Sequence, residues 1–473
     1  MKAISLSEKL SVNALLRFKD RPVVLLPNST YTYADLVSES QTLLAKLAAH
    51  GCKPGAVVVA KLGSGFNFLA LLLAAIEAQL VFIPFAPSFP PSRFHAIAQQ
   101  FGALVSFTEA EGELTLSKTD FRDAHSKDYY SQFDGLFSQG GFVRYTSGTT
   151  GNAKGVFVSL QSAEARIFSA QAGLNLPPYS RLFWPLEMAL HFVAVLPVVL
   201  LQGGAFVLAE GGSTKDQRDA IEKCEANAIY AAPHHYQQLA REPYNKHRVV
   251  RAFSTTAPIS NTVAAQFYAS WGTRVDQVYG IFELGIVCAQ DENHRNGVGK
   301  PMPGVTISIR DATGLAMKPG VAGRVCISTP GAMDGYLQPL SNSADILVDG
   351  WFETGDIGTV TGAGELILLG RAAGMINVVG AKVYPEQVEE VLLSGTGVKA
   401  ARVFGKPHEL LGNIVCAEVV LNSGVVFEPV VLRRLCRSQL NRYSVPQEIS
   451  QVEQIAFTEA GKISRIPNGS SIV

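Results

Sequence analysis

From residue 56 to residue 279, short apolar runs alternate with segments of helical length. No other feature of the chain constrains its fold as much. The runs at 56–62 (AVVVAKL), 80–84 (LVFIP) and 104–108 (LVSFT) read as strands, and 66–78 and 93–100 between them read as helices. The rhythm resumes with strands at 142–146, 205–208, 228–231 and 274–279. Alternation of this kind predicts parallel sheets covered by helices, an α/β fold.

From about residue 297 the texture changes. Turn-rich strands follow (VTISIRD, GRVCIS, GELILLG), as in a small antiparallel sheet or barrel. The small-residue stretch at 370–374 (GRAAG) reads as a linker. Beyond it, helix-like PEQVEEVLL and EPVVLRRLCRSQL and strand-like AARVFG and IVCAEVVL predict a separate small α+β domain. The division expected is an N-terminal domain, residues 1–370, and a C-terminal domain, residues 371–473. With 473 residues, 47% of them hydrophobic, each domain can bury a core of its own.

Charge narrows the function. Lys+Arg and Asp+Glu balance at 40 each, so the chain has no polyelectrolyte signature for nucleic acid or an anionic membrane. Six cysteines (Cys52, Cys224, Cys288, Cys326, Cys416 and Cys436) are scattered with no C-x-x-C pair. They read as free thiols in a reducing compartment. The opening MKAISLSEKL lacks the apolar core and cleavage site of a secretory signal, so a cytoplasmic location is expected. The apolar stretches 66–85 and 192–208 are interrupted by Glu77 and Gln79, and by Pro197 and Gly203-Gly204. Both read as a buried helix followed by a strand rather than a membrane span.

One string concentrates chemistry. YTSGTTGNAKGV, residues 145–156, follows the strand-like 142–146 and precedes another apolar run. Free N–H groups in such a loop can point at an anion, and glycines let a ligand approach the backbone. Ser147, Thr149 and Thr150 add hydroxyl donors, and Lys154 adds a mobile positive charge. A Walker-type P-loop does not fit, because Lys154 precedes Gly155 and no Ser or Thr follows it.

The string resembles the phosphate-binding signature of the adenylate-forming superfamily, which includes acyl- and aryl-CoA synthetases, nonribosomal-peptide adenylation domains and beetle luciferase. Further matches follow in the family's order over nearly the whole chain. Tyr279-Gly280-Ile281-Phe282-Glu283 is similar to its Y-G-x-T-E, and Thr354-Gly355-Asp356 to its T-G-D. Gly370-Arg371 and the stretch 376–386 are similar to the segment joining its two domains, and GKISR at 461–465 to its terminal G-K-x-x-R. In pattern the chain is most similar to a stand-alone acyl- or aryl-acid ligase.

The resemblance implies two helix-covered β/α subdomains plus a small β-barrel in the N-terminal domain, and a mobile C-terminal lid. It implies that a carboxylic acid attacks ATP to give acyl-AMP and pyrophosphate, after which a pantetheine thiol takes the acyl group. That thiol belongs to coenzyme A or to a separate acyl carrier protein. Thr146, Ser147, Gly148, Thr149, Thr150 and Gly151 would hold the β- and γ-phosphates, with Lys154 beside them. Tyr279 and Gly280 would line the adenine pocket, Asp356 would bind the ribose, and Arg371 ribose or phosphate. Glu283 would hold Mg²⁺, and Lys462 would reach the attacking carboxylate and the α-phosphate. Such a step is driven by alignment and charge neutralisation.

The acid pocket, by position, would draw on Trp184, Glu187, Met188, His191, His234, Ile281 and Phe282. No aspartate stands near Glu187 to hold an α-ammonium group, so an aryl or alkyl acid is expected. His191, His234 and His235 are candidates for a hydrogen bond to a substrate hydroxyl; their spacing does not read as a metal site. Four positions depart from the pattern: Ala153 replaces a proline, Phe282 the threonine of Y-G-x-T-E, Ala373 the hinge residue and Asn377 a lysine. Phe282, Ala373 and Asn377 leave open a non-catalytic nucleotide-binding homologue as the alternative.

Overall fold

In the computed structural model of the chain, the described residues are 6–110, 112–119, 134–146, 154–242, 249–337, 340–379, 381–408 and 412–455. Two large mixed sheets organise the N-terminal part. The first has nine strands in the spatial order Lys300–Pro301, Gly285–Ala289, Val275–Ile281, Arg251–Ser254, Ala228–Ala231, Arg181–Phe183, Ala205–Val207, Pro22–Leu26 and Ser29–Thr32. Its six central strands, from Val275–Ile281 to Pro22–Leu26, run parallel, and antiparallel partners close each edge. The second has eight, in the order Leu340–Asn342, Gly335–Leu337, Lys154–Ser159, Gly141–Thr146, Val81–Phe85, Val57–Lys61, Val105–Ala110 and Glu113–Lys118.

Successive residues of these strands enter different cores, as the two-residue period of a strand requires. Phe206 and Tyr230 of the first sheet and Val58, Phe82 and Phe142 of the second share one core, which also holds the helix Phe66–Glu77. Every residue of that helix from Phe68 to Ile76 is buried, as its all-round apolar sequence requires. On the opposite faces, Val207 and Ile229 pack with the helices Pro233–Leu239 and Asn261–Trp271, and Val57, Val81 and Ile83 pack with Pro91–Gln100. Residues 192–208, with their proline and glycine pair, form the short buried helix Val195–Leu201 and then a strand. Among the described residues no helix is long and apolar enough to cross a membrane.

The turn-rich segment forms four antiparallel strands, Thr306–Arg310, Gly323–Ser328, Phe352–Val360 and Leu366–Arg371. The barrel expected here is instead an open sheet, because its first and last strands do not pair. The small-residue stretch is not a free linker: Gly370 and Arg371 end the last of these strands, and Ala372–Gly374 form a single 3-10 turn. At Gly370 (φ +151°) an added Cβ would lie 2.5 Å from Glu386 Oε2 and 3.0 Å from Tyr384 Cβ. The chain beyond therefore folds back tightly on this glycine.

That following segment has a core of its own. The long hairpin Val398–His408 and Gly412–Leu421 is joined by Glu448–Gln451, and the helices Pro385–Leu393 and Pro429–Gln439 supply Val388, Leu392, Leu432 and Cys436 to the core.

Candidate active site

The glycine-rich string closes a hairpin. Gly141–Thr146 and Lys154–Ser159 pair antiparallel, with Thr146 opposite Lys154 and Tyr145 opposite Gly155. Ser147, Gly148, Thr149, Thr150 and Gly151 lie outside the described residues, as do the side chains of Thr146 and Lys154; Lys462 lies outside them too.

Three residues that sequence reasoning gave to the nucleotide come together. Asp356 and Arg371 are register partners on neighbouring strands, and Arg371 Nε lies 2.7 Å from Asp356 Oδ1. Arg371 Nη1 also donates to the Thr354 carbonyl at 3.1 Å. The Tyr279 hydroxyl, arriving from the first sheet, donates to Asp356 Oδ2. Burial first, and then the Asp356 charge, holds the Tyr279 pKa well above its usual value, so the hydroxyl remains a donor. Asp356 is itself buried, and its own N–H is bonded to Thr354 Oγ1 at 3.1 Å.

Tyr279 lies near the end of the strand Val275–Ile281, which turns through Phe282 and Glu283. Arg166, on the helix Leu160–Leu174, clamps that turn. Only 4% exposed, it donates to the carbonyls of Gly331 (2.5 Å), Phe282 (2.7 Å) and Glu283 (2.8 Å). Gly285 and Gly331 leave room for it: a Cβ at either would come within 3.1 or 2.7 Å of its side chain. Asp334, beyond Gly331, accepts from Ser159 N at 2.6 Å and from the Ser159 and Ser162 hydroxyls. The Tyr336 hydroxyl donates to Glu283 Oε1 at 3.2 Å.

Around Phe282 the expected acyl lining divides. Trp184 is buried, stacked on Tyr230 with ring centroids 5.2 Å apart, and edge-on to His191 at 6.3 Å. Phe192 links Phe282 (6.4 Å) to Phe142 (5.4 Å), and Met188 is fully buried in the same core. Ile281 packs against it, half-buried. Burial foremost, with the Arg144 charge second, pushes the His191 pKa down to about 3, so the ring is neutral at pH 7. Two expected residues stand apart. Glu187 is exposed, with Ser64 Oγ 3.4 Å from its Oε2, and His234 is exposed beside the buried His235. His235 Nδ1 accepts from the Ala232 N–H at 3.3 Å.

Arg144, Arg166 and Tyr336 had not been singled out in the sequence. The one local signal for Arg166 is its place on the same helical face as the buried Ala163, Ile167 and Ala170.

A family model described as "AMP-binding enzyme" matches residues 12–337, and one described as "AMP-binding enzyme C-terminal domain" matches residues 387–462. The chain belongs to the AMP-binding enzyme family. Relatives within this family include the feruloyl-CoA synthase of Amycolatopsis sp, 27% identical over 91% of this chain and 92% of that protein. The fatty acid–[acyl-carrier-protein] ligase ScoC of Streptomyces coeruleorubidus is 27% identical over 94% and 92%. The chain spans 18% of the length of two further curated relatives, which are much longer proteins. Among solved structures, the amide bond synthetase McbA from Marinactinospora thermotolerans superposes with a TM-score of 0.81, at 25% identity over 97% of this chain and 98% of that one.

The Mg²⁺ that AMP-binding enzymes use finds a fitting donor here. Glu283 presents a half-exposed carboxylate whose Oε1, among the described residues, accepts from the Tyr336 hydroxyl. A single carboxylate completed by substrate phosphates is the usual protein share of a Mg²⁺ site. Among the described residues no cluster of three or more acidic, histidine or cysteine side chains offers an all-protein metal cage.

Proposed function

We propose that this member of the AMP-binding family joins an aryl or fatty carboxylic acid to a pantetheine thiol through an acyl-adenylate. The observation that carries the reading is the joint placement of Tyr279, Asp356 and Arg371 in one bonded cluster, one turn from Glu283. In this reading Asp356, oriented by Tyr279 and Arg371, receives the ribose hydroxyls. The hairpin at 146–154 receives the β- and γ-phosphates through Thr146, Ser147, Gly148, Thr149, Thr150, Gly151 and Lys154. Glu283 would hold Mg²⁺, which neutralises phosphate charge when bound. Lys462, on a C-terminal lid spanning 371–473, approaches the carboxylate and α-phosphate.

The aromatic lining of Trp184, Tyr230, Phe192 and Phe282 supports an aryl or alkyl acid. The printed activities of the feruloyl-CoA synthase and ScoC relatives support coenzyme A and a carrier protein, respectively, as acceptors. Free cysteines among the described residues accord with a cytoplasmic enzyme.

The test incubates the full chain with ATP, Mg²⁺ and a panel of acids, then adds coenzyme A or a phosphopantetheinylated carrier protein. Mass spectrometry should find an acyl-adenylate with one acid class and a thioester with one of the two acceptors. Nucleotide binding with no adenylate from any acid would favour the non-catalytic homologue, for which Phe282, Ala373 and Asn377 are the motive.

A further inference from the structure

Phe282 stands in place of the threonine of Y-G-x-T-E, and a charged side chain lies against its ring. Arg144 lies on the strand Gly141–Thr146, two residues before Thr146 and on the face that sends Phe142 into the shared core. Its guanidinium carbon is 5.1 Å from the centre of the Phe282 ring. Arg166 approaches the same ring at 5.7 Å, but its donors are committed to three carbonyls. Arg144 Nε is buried without a hydrogen-bond partner among the described residues, and no carboxylate there lies within ion-pair distance. Burial pulls its pKa down to about 10, and the charge of Glu283 partly offsets this, so Arg144 stays cationic at pH 7.

The residue as a whole is half-buried, but an arginine whose Nε is shut away from water with no anion beside it among the described residues is costly. The ring it faces, Phe282, belongs to the acyl lining and immediately precedes Glu283, the carboxylate assigned to the metal and phosphates, and charge acts between Arg144 and both His191 and Glu283. His191 is neutral and cannot supply charge there. An anion bound in this position would face the phosphates from the acid side.

We propose that Arg144 binds the reacting carboxylate of the acid substrate, with the Phe282 ring as its stacking platform. This rests on the adenylation reading. One carboxylate oxygen forms the bond to the α-phosphorus, the bond from that phosphorus to the bridging β-oxygen breaks, and the charge leaves on pyrophosphate. The planar fork of arginine matches the two carboxylate oxygens and fixes their direction. Because the carboxylate loses its charge as the mixed anhydride forms, Arg144 acts on binding and alignment of the acid more than on the leaving group.

The test measures equilibrium binding of aryl and fatty carboxylates, each paired with its primary amide, to full-length wild type, Arg144→Gln and Arg144→Lys. ATP affinity is measured alongside. Wild type should bind a carboxylate at least about tenfold more tightly than its amide, Arg144→Gln should bind both alike, and Arg144→Lys should fall between. ATP affinity should change by less than about threefold, which a general loss of structure would not allow. Wild type showing no preference for the charged form would overturn the proposal, as would Arg144→Gln retaining one. If Arg144→Gln does not fold, an unchanged preference in Arg144→Lys does the same, because a point charge cannot reproduce the fork. Carboxylate binding that survives without adenylate formation would count against the adenylation reading alone.

Discussion

Replacing Arg166 by methionine should loosen the turn that carries Glu283. The side chain is 4% exposed, and its three donors reach main-chain carbonyls at 2.5–2.8 Å. The Glu283 carbonyl keeps a second donor, Met333 N–H at 2.7 Å. The Gly331 and Phe282 carbonyls lose the only donor found for them among the described residues. Each orphaned acceptor costs about 1–3 kcal/mol, or about 2–6 kcal/mol together. Relief of the buried guanidinium's desolvation offsets part of this, leaving a net loss of about 2–4 kcal/mol. Denaturant melts of the full chain, followed by tryptophan fluorescence, would read it. If the clamp positions Glu283, the Mg²⁺ concentration for half-maximal activity should also rise in the surviving folded protein. A loss below about 1 kcal/mol, or an unmoved Mg²⁺ dependence, would refute the clamp.

Two further outcomes concern the junction and acid pH. Gly370→Ala should lower stability by about 1–3 kcal/mol, because its φ of +151° disfavours a side chain and the new Cβ meets Glu386 and Tyr384; an unchanged denaturation midpoint would contradict this. His191 and His235 both have pKa values pushed down to about 3, chiefly by burial, against about 6.5 in the unfolded chain. The unfolded state therefore takes up protons first, and stability present above pH 6.5 should be lost as pH falls towards 3. The slope is about 1.4 kcal/mol per pH unit for each histidine. His235→Gln should flatten the slope of melting temperature against pH in that window, and an unaltered slope would count against a neutral buried ring.

The strand–helix alternation was legible because the central strands are buried on both faces and so read as apolar runs, as in residues 57–60 of one strand and all of Val81–Phe85. Barrel closure was not legible, since it depends on whether Thr306–Arg310 meets Leu366–Arg371, which no local pattern encodes. Tyr279, Asp356 and Arg371 stood in recognisable strings and converge in space. Glu187 and His234 were chosen by position alone, and position does not give the direction of a side chain; both turn to the surface. Arg166 escaped because a lone arginine on a helix has no motif around it, and Arg144 because it stands just before the glycine-rich string and outside its pattern; only the folded chain shows what each faces.

ATP–pyrophosphate exchange decides whether this chain adenylates a carboxylic acid. With a panel of aryl, fatty and amino acids, the full chain should exchange label with one aryl or fatty class, and Lys462→Ala should abolish it. Exchange driven best by an α-amino acid would contradict the acid pocket read here. Silence across the panel, with ATP still bound, would contradict adenylation itself.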